Sequence, residues 1–457
     1  MRSLGRPLCF ALLTLGWHAG AEPREVAGDR YDLRVSAETH VGLFQRALLP
    51  GSAGALVSTE TVVPVHQYVA LRADDLDGPL ARDSVDVELA AWGSRWLGQA
   101  GSEPRLDGDV QTAFVRYHPG PLSLRLGRQH VAGGAARYSR FDGVDASLSL
   151  ASAFTVEAYG GLTVLPRWNQ RATYQYLGSV PSLALRDPSA FAPRERSSHW
   201  LAGGRLAWSV RQAALALTLH EQREDGGLNR RELGADGRVE LFSGASLGAS
   251  ALAELEGFAL ADARGFVELT PIPALLASVD VLHTEPALLL SRSSVLSVFS
   301  TTSYDEVGGT VSADAARWLT LEAAGFAELY ADSAPGSRGE LGARVVADRV
   351  RRTVLRVGYT RLVAPTNGYV ALHSSLSREL LPVLRGSLDL YGYFYDQPIR
   401  GYRSSSTGVG SFGYRLGRVL ELVWSSSIAS SPYARFDAQT LLDARLDFEL
   451  GTRRRLR

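Results

Sequence analysis

The chain has 457 residues with 48 basic and 48 acidic side chains, and every basic one is arginine. The absence of lysine excludes a phosphate-loop lysine, a pyridoxal Schiff base and a kinase ion pair, and a single cysteine, Cys9, excludes a disulfide framework or a cysteine metal site. Glycine is abundant at 46 residues, no uninterrupted apolar run of ~20 residues follows the N-terminal segment, and mean hydropathy is −0.04, too polar for a helical membrane protein.

Residues 1–21 read as a secretory signal peptide. Arg2 and Arg6 form the positive end, Leu8 to Leu15 the apolar run, and Ala19-Gly20-Ala21 the small residues of a cleavage site. Cys9 lies inside the apolar run behind Arg6-Pro7-Leu8, a poor lipobox, so no lipid anchor is expected. Cleavage after Ala21 leaves 46 Arg against 48 acidic residues, a near-neutral balance that gives no sign of a nucleic-acid partner.

From Arg30 onward the hydrophobic period is two. Val85-Val87-Leu89-Ala91 alternates with Asp86 and Glu88, and Leu122-Leu124-Leu126 with Ser123, Arg125 and Gly127. Val144-Ala146-Leu148-Leu150 alternates with Asp145, Ser147 and Ser149, and Leu355-Val357-Tyr359 with Arg356 and Gly358. At the end of the chain Leu442, Ala444, Leu446, Phe448 and Leu450 are separated by Asp443, Arg445, Asp447 and Glu449. A strand puts each set on its own face, whereas a helix would scatter both.

The breaks between these segments fall into two sets. Short ones lie at 118–121, 151–152, 211–212, 242–244, 270–273, 315–317, 348–351 and 415–418, several with the Pro, Gly, Asp or Ser that tight turns need. Mostly longer and more polar ones, such as 46–59, 97–108, 165–198 and 283–303, alternate with them. Turns at one end and loops at the other indicate an all-β fold, a transmembrane antiparallel β-barrel in a bacterial outer membrane. About 22 strands are counted, the first over 30–44 and the last over 435–450; 16 or 18 with longer loops also fit. The barrel then occupies 22–450, with a basic tail at 451–457. Trp92, Trp96, Tyr174, Tyr176 and the Tyr391-Tyr393-Tyr395 row sit near strand ends and are expected in interfacial girdles.

Leu124-Arg125-Leu126-Gly127-Arg128-Gln129, followed by Arg140-Phe141-Asp142-Gly143-Val144, resembles a strand–loop–strand pattern of alginate-export-type and related bacterial porins. The match covers about 20 residues and implies a porin-like barrel. Such barrels commonly end on an aromatic residue read by the barrel assembly machinery; here Phe448-Glu449-Leu450 runs on into Gly451 to Arg457, with four Arg.

The candidate pore-lining residues are Arg125, Arg128, Arg137, Arg140 and Asp142 near one mouth, with Arg356, Asp443, Arg445, Asp447 and Glu449 along the wall. Lumenal guanidinium groups would favour anions, since a low-dielectric wall strengthens their field; the alternative is that they pair with carboxylates on adjacent strands. The 165–198 loop carries five Arg against Asp187 and Glu195 and either constricts the channel or lies outside it.

Two motifs fail on context. Gly244-Ala245-Ser246-Leu247-Gly248 matches a nucleophile elbow and Gly408 to Gly413 a dinucleotide loop, but neither leads into the helix its chemistry needs. The His residues are scattered without metal-ligand spacing, so no metal, no cofactor and no catalytic residue is assigned. The sequence therefore points to a non-enzymatic outer-membrane channel for small hydrophilic solutes, with a preference for anions a further expectation. A plugged structural or surface-display barrel and a barrel-embedded lipid hydrolase are the alternatives. Partners are the membrane lipid, the assembly machinery and the solutes.

Overall fold

In the computed structural model, 22 strands hydrogen-bond in sequence order, each antiparallel to the next, and the first pairs with the last. The described residues are 32–48, 58–77, 84–98, 106–151, 153–164, 199–289, 303–331, 333–417, 419–432 and 434–451. The signal-peptide segment, Tyr174 and Tyr176, and the 165–198 loop lie outside them. β1 (Asp32–Leu48) and β22 (Ala434–Gly451) close the sheet through a ladder that still pairs Asp32 with Gly451. β22 thus runs one residue past the expected end of the barrel at Leu450. Closure satisfies every strand's two edges, which a sheet in hydrocarbon requires.

The two-residue period maps onto two faces. On β22, Leu442, Leu446 and Phe448 are exposed on the outside while Asp443 is buried on the inside. Leu215, Leu217 and Leu219 of β9 (Ala213–Glu224) face outward, and the alternating Ala216, Thr218 and His220 are buried. The exposed set recurs on strand after strand and forms an apolar belt around the barrel. Phe412 of β20 (Tyr402–Leu416) stacks on Trp424 of β21 (Leu420–Ser431) within this outer face.

Connections at the end where β1 begins and β22 ends are all short, among them the predicted breaks at 118–121, 211–212 and 242–244. The opposite end is less uniform. Long connections there join β7 (Phe154–Thr163) to β8 (Trp200–Val210) and β13 (Leu275–Thr284) to β14 (Tyr304–Ala316), but β9 turns into β10 (Gly227–Phe242) through Asp225-Gly226 alone. Both of these residues have positive φ, 51° and 80°, the geometry of a type I′ hairpin whose twist matches its strands. Gly257 lies in a turn between β11 (Ala245–Glu254) and β12 (Ala259–Ile272).

Two aromatic assignments are corrected. Trp92 pairs with inward-facing Tyr68 and is buried, and Tyr391, Tyr393 and Tyr395 alternate with outward-facing Leu390 and Phe394, so all four face the interior. The physical reason is parity: nearness to a strand end sets height along the barrel axis, while the odd or even position sets the face.

Candidate functional site: the lumen and its inward shelf

The interior is spanned in part by a hairpin of the wall itself. β5 (Leu122–Ala132) and β6 (Tyr138–Leu150) are joined by residues 133–137. The Gln129 amide donates to the Arg125 carbonyl, and an Arg125 guanidinium N–H to the His130 carbonyl, each at 3.4 Å. Residues four apart on a straight strand are separated by roughly 13 Å. β5 is thus sharply bent toward the face that Arg125 and Gln129 share, the interior.

Glycine makes the bend. Gly127 has φ 127°, and a Cβ there would run into the backbone of Ala113 and Phe114. Its cross-strand neighbour Gly143, and Gly161 beyond it on β7, lie so close that a Cβ on either would strike the other's strand. These three positions form a crease across β5, β6 and β7. Gly127 and Gly143 are also the glycines of the two porin-like sequence segments.

Beyond the crease, Val131, Ala136 and Phe141 pack with Tyr159 of β7 and Leu201 of β8. Phe141 and Leu201 are completely buried, each contributing about 1.5–3 kcal/mol of burial. The tip is a single 3-10 turn, Gly134–Ala136, that crosses to the inner face of β9, β10 and β11. Ala135 packs with Leu252 and Ala261, and against them lie Leu288 and Leu289 of a four-residue helix, α1 (Pro286–Leu289). Gly234 of β10 is the seat: a Cβ there would hit the backbone of Gly134 and Ala135.

Polar contacts clamp this shelf. Arg137 pairs with Glu232 and donates to the Leu289 carbonyl at 2.6 Å. Burial draws the Arg137 pKa down, opposed by the Glu232 carboxylate. Arg230 donates to the Ser139 hydroxyl at 2.9 Å and to Nε2 of His220 at 3.1 Å. Since a guanidinium can only donate, Nε2 must accept, and Nδ1–H donates to the Tyr159 hydroxyl at 3.2 Å. Arg205 is held bidentately by Asp236 at 2.9 and 2.8 Å.

Of the candidate residues, Arg125, Arg356, Asp443, Arg445, Asp447 and Glu449 lie on inward positions, and Arg137 enters the lumen on the shelf. Arg128, Arg140 and Asp142 lie on the other face of the β5–β6 hairpin, in line with Leu126 and Val144, and from there Arg128 and Arg140 reach Asp109, the cross-strand partner of inward-facing Trp92.

Most of these charges meet carboxylates. Arg128 is bidentate to Asp142 at 2.7 and 2.9 Å, and Arg140 reaches Asp109 at 2.6 Å. Arg125 faces Asp145 at 3.5 Å, Arg34 faces Glu449 at 3.5 Å, and the pairs His40–Asp443 and Arg445–Glu38 bridge the closing strands. Two guanidiniums differ. Arg344 of β16 (Gly336–Asp348) and Arg356 of β17 (Thr353–Val363) are exposed cross-strand partners on inward positions, and neither forms an ion pair among the described residues.

The sequence reading missed the shelf and its clamp. The available signal was three strand-interior glycines at one height, since such glycines mark bends and close backbone approach. Ser246 and Gly408 to Gly413 lie on strands, and Ser246 accepts a hydrogen bond from Arg238 at 3.0 Å.

No family model matches the sequence, and no curated protein matches it. Solved structures are similar in outline. Acinetobacter baumannii OccAB4 is 7% identical, with 92% of this chain and 98% of that chain covered and a TM-score of 0.43. Pseudomonas aeruginosa OccK2 (OpdF) is 11% identical, with 91% and 98% covered and a TM-score of 0.42. The outer membrane protein opdK from Pseudomonas aeruginosa is 10% identical, with 92% and 99% covered and a TM-score of 0.37. The fold described above stands on the strand register of this chain.

Proposed function

We propose that the chain is a Gram-negative outer-membrane channel through which small hydrophilic solutes pass without catalysis. In this reading residues 1–21 are a signal peptide removed on export, the closed sheet is the membrane-spanning barrel, and residues after Gly451 form a basic tail. The resemblance of the Gly127 and Gly143 segments to alginate-export-type porins is consistent with it.

The observation that carries the reading is the division of the sheet between an apolar outer belt and an interior of charges and hydroxyls, at a width that side chains cannot fill. Twenty-two strands at 4.7–4.9 Å spacing and a porin-like tilt close into a ring about 40 Å across. Wall side chains cannot meet over that distance, so the shelf narrows the lumen from one side. The Arg125–Arg140 patch contributes little net field, because each of its guanidiniums faces a carboxylate. Any anion preference is proposed to reside with Arg344 and Arg356, whose positive charges lie side by side facing water.

The test is single-channel recording of the refolded barrel in a planar bilayer under a KCl gradient. Discrete open steps are expected; a correctly folded barrel that stays silent would overturn the channel in favour of a plugged scaffold.

A further inference from the structure

The inward tyrosines leave a feature that charge selectivity does not use. Tyr391, Tyr393 and Tyr395 ascend β19 (Leu384–Ile399) on one lumenal face, and Tyr369 of β18 (Tyr369–Leu381) stands beside them. At about 6.8 Å for every second residue, the row runs roughly 14 Å from mid-barrel toward the loop end. Tyr369 meets Tyr393 edge-on with ring centres 5.7 Å apart. His373 stacks flat on Tyr391 at 4.3 Å and 5°, so the two form one aromatic plate.

The surroundings are hydroxylic. Tyr395 shares a hydrogen bond of 2.8 Å with Ser405, whose strand next presents Thr407 opposite Tyr391. On the neighbouring strand, the inward position opposite Val409 is Ser427. Formal charge brackets the row: Asp389 lies below the plate and the paired Arg385 and Glu421, 2.7 Å apart, lower again, while exposed Arg403 stands at the upper end, two residues before Ser405 on the same face of β20. The wall across β14, β15 (Leu319–Tyr330) and β16 differs sharply: Glu306, Glu328 and Arg338 crowd the same upper level.

From this placement we infer that the β18–β21 wall is a binding track for uncharged saccharides, built on Tyr369, Tyr391, Tyr393 and Tyr395. A sugar ring has an apolar C–H face that packs on an aromatic face by dispersion, and a rim of hydroxyls that both donate and accept. Tyrosine, serine and threonine match both properties, since each hydroxyl can donate or accept as the solute slides. Along Tyr391 and Tyr393, between Asp389 below and Arg403 above, an anionic solute would find no cation on this face, and a purely apolar one would strand the hydroxyls. A 14 Å row is long enough for more than one sugar ring to be held at once. The track rests on the channel reading above and gives it a substrate class.

The experiment is single-channel recording in KCl with maltotriose added on one side, and with size-matched polyethylene glycol as the non-stacking control. Open steps in KCl alone establish the channel; their absence removes the channel reading and this inference with it. With steps present, maltotriose is expected to block the current saturably while polyethylene glycol lowers it only in proportion to concentration. If the two behave alike, the track is overturned and the channel stands. In the triple variant Tyr391→Ala, Tyr393→Ala, Tyr395→Ala, half-saturation is expected to need at least tenfold more maltotriose. The matching triple Phe variant, which keeps the rings, is expected to fall between. Unchanged half-saturation in the Ala variant, with KCl steps intact as proof of folding, would overturn the site.

Discussion

Single residues in this barrel act according to whether their charge is already matched. Arg344 and Arg356 stand opposite each other without an ion pair among the described residues, and like charges directly opposed cost free energy in a sheet. Replacing both with Gln is expected to move the reversal potential in a KCl gradient toward that of a cation-preferring channel, with no loss of folded protein. Neutralising both members of a matched pair, Arg128→Gln together with Asp142→Asn, is expected to leave the reversal potential nearly unchanged, because the pair contributes no net charge. Equal shifts for the two sets of substitutions would refute the assignment. Glu232 tests the clamp. Removing one member of a buried pair leaves the other uncompensated, at a cost of about 3–5 kcal/mol. Glu232→Ala is thus expected to free Arg137 and the shelf tip, giving noisier and larger open currents.

At the scale of elements, the β5–β6 hairpin is shaped by glycine at both ends of its reach. Gly234 lets the tip sit on β10, and a valine there would drive its side chain into the Gly134 and Ala135 backbone. Gly234→Val is expected to lift the tip and raise single-channel conductance while the barrel remains folded. An unchanged conductance would mean that the shelf does not limit the current. The strands themselves were legible in the sequence because a half-polar environment imposes alternation on each of them. The crease was not, since a glycine in a strand reads the same whether it eases twist, forms a bulge or bends the wall. Only the neighbours at Gly143 and Gly161 turn Gly127 into part of a fold line.

For the whole molecule, the apolar belt and the polar interior respond oppositely to the same substitution. Leu217 faces outward in the belt, so Leu217→Arg is expected to destabilise the barrel by about 2–4 kcal/mol if it lies near the bilayer midplane. Thr407, on the lumenal face, is expected to accept Arg with little effect on stability. Urea unfolding in lipid vesicles separates the two outcomes, and equal losses at both positions would contradict the assignment of faces. The width of 22 strands explains why an inward shelf matters at all: a narrower barrel fills with its own wall side chains, and this one does not.

Alternation of apolar and polar residues, together with turn residues at regular breaks, was enough to determine a closed antiparallel barrel and its approximate strand number. Those signals are local, because each strand meets the same pair of environments and its own residues must answer to both. What the interior contains was decided by tertiary structure. Parity alone suggests that Arg125 and Arg356 face the lumen, yet the carboxylate that neutralises one and the absence of a pair for the other among the described residues depend on the register between strands. The same register turned the tyrosine row inward and brought Arg137 to Glu232, 95 residues apart in the chain. Contacts between distant segments carry no periodic trace in either segment, so only closure of the sheet brought them together.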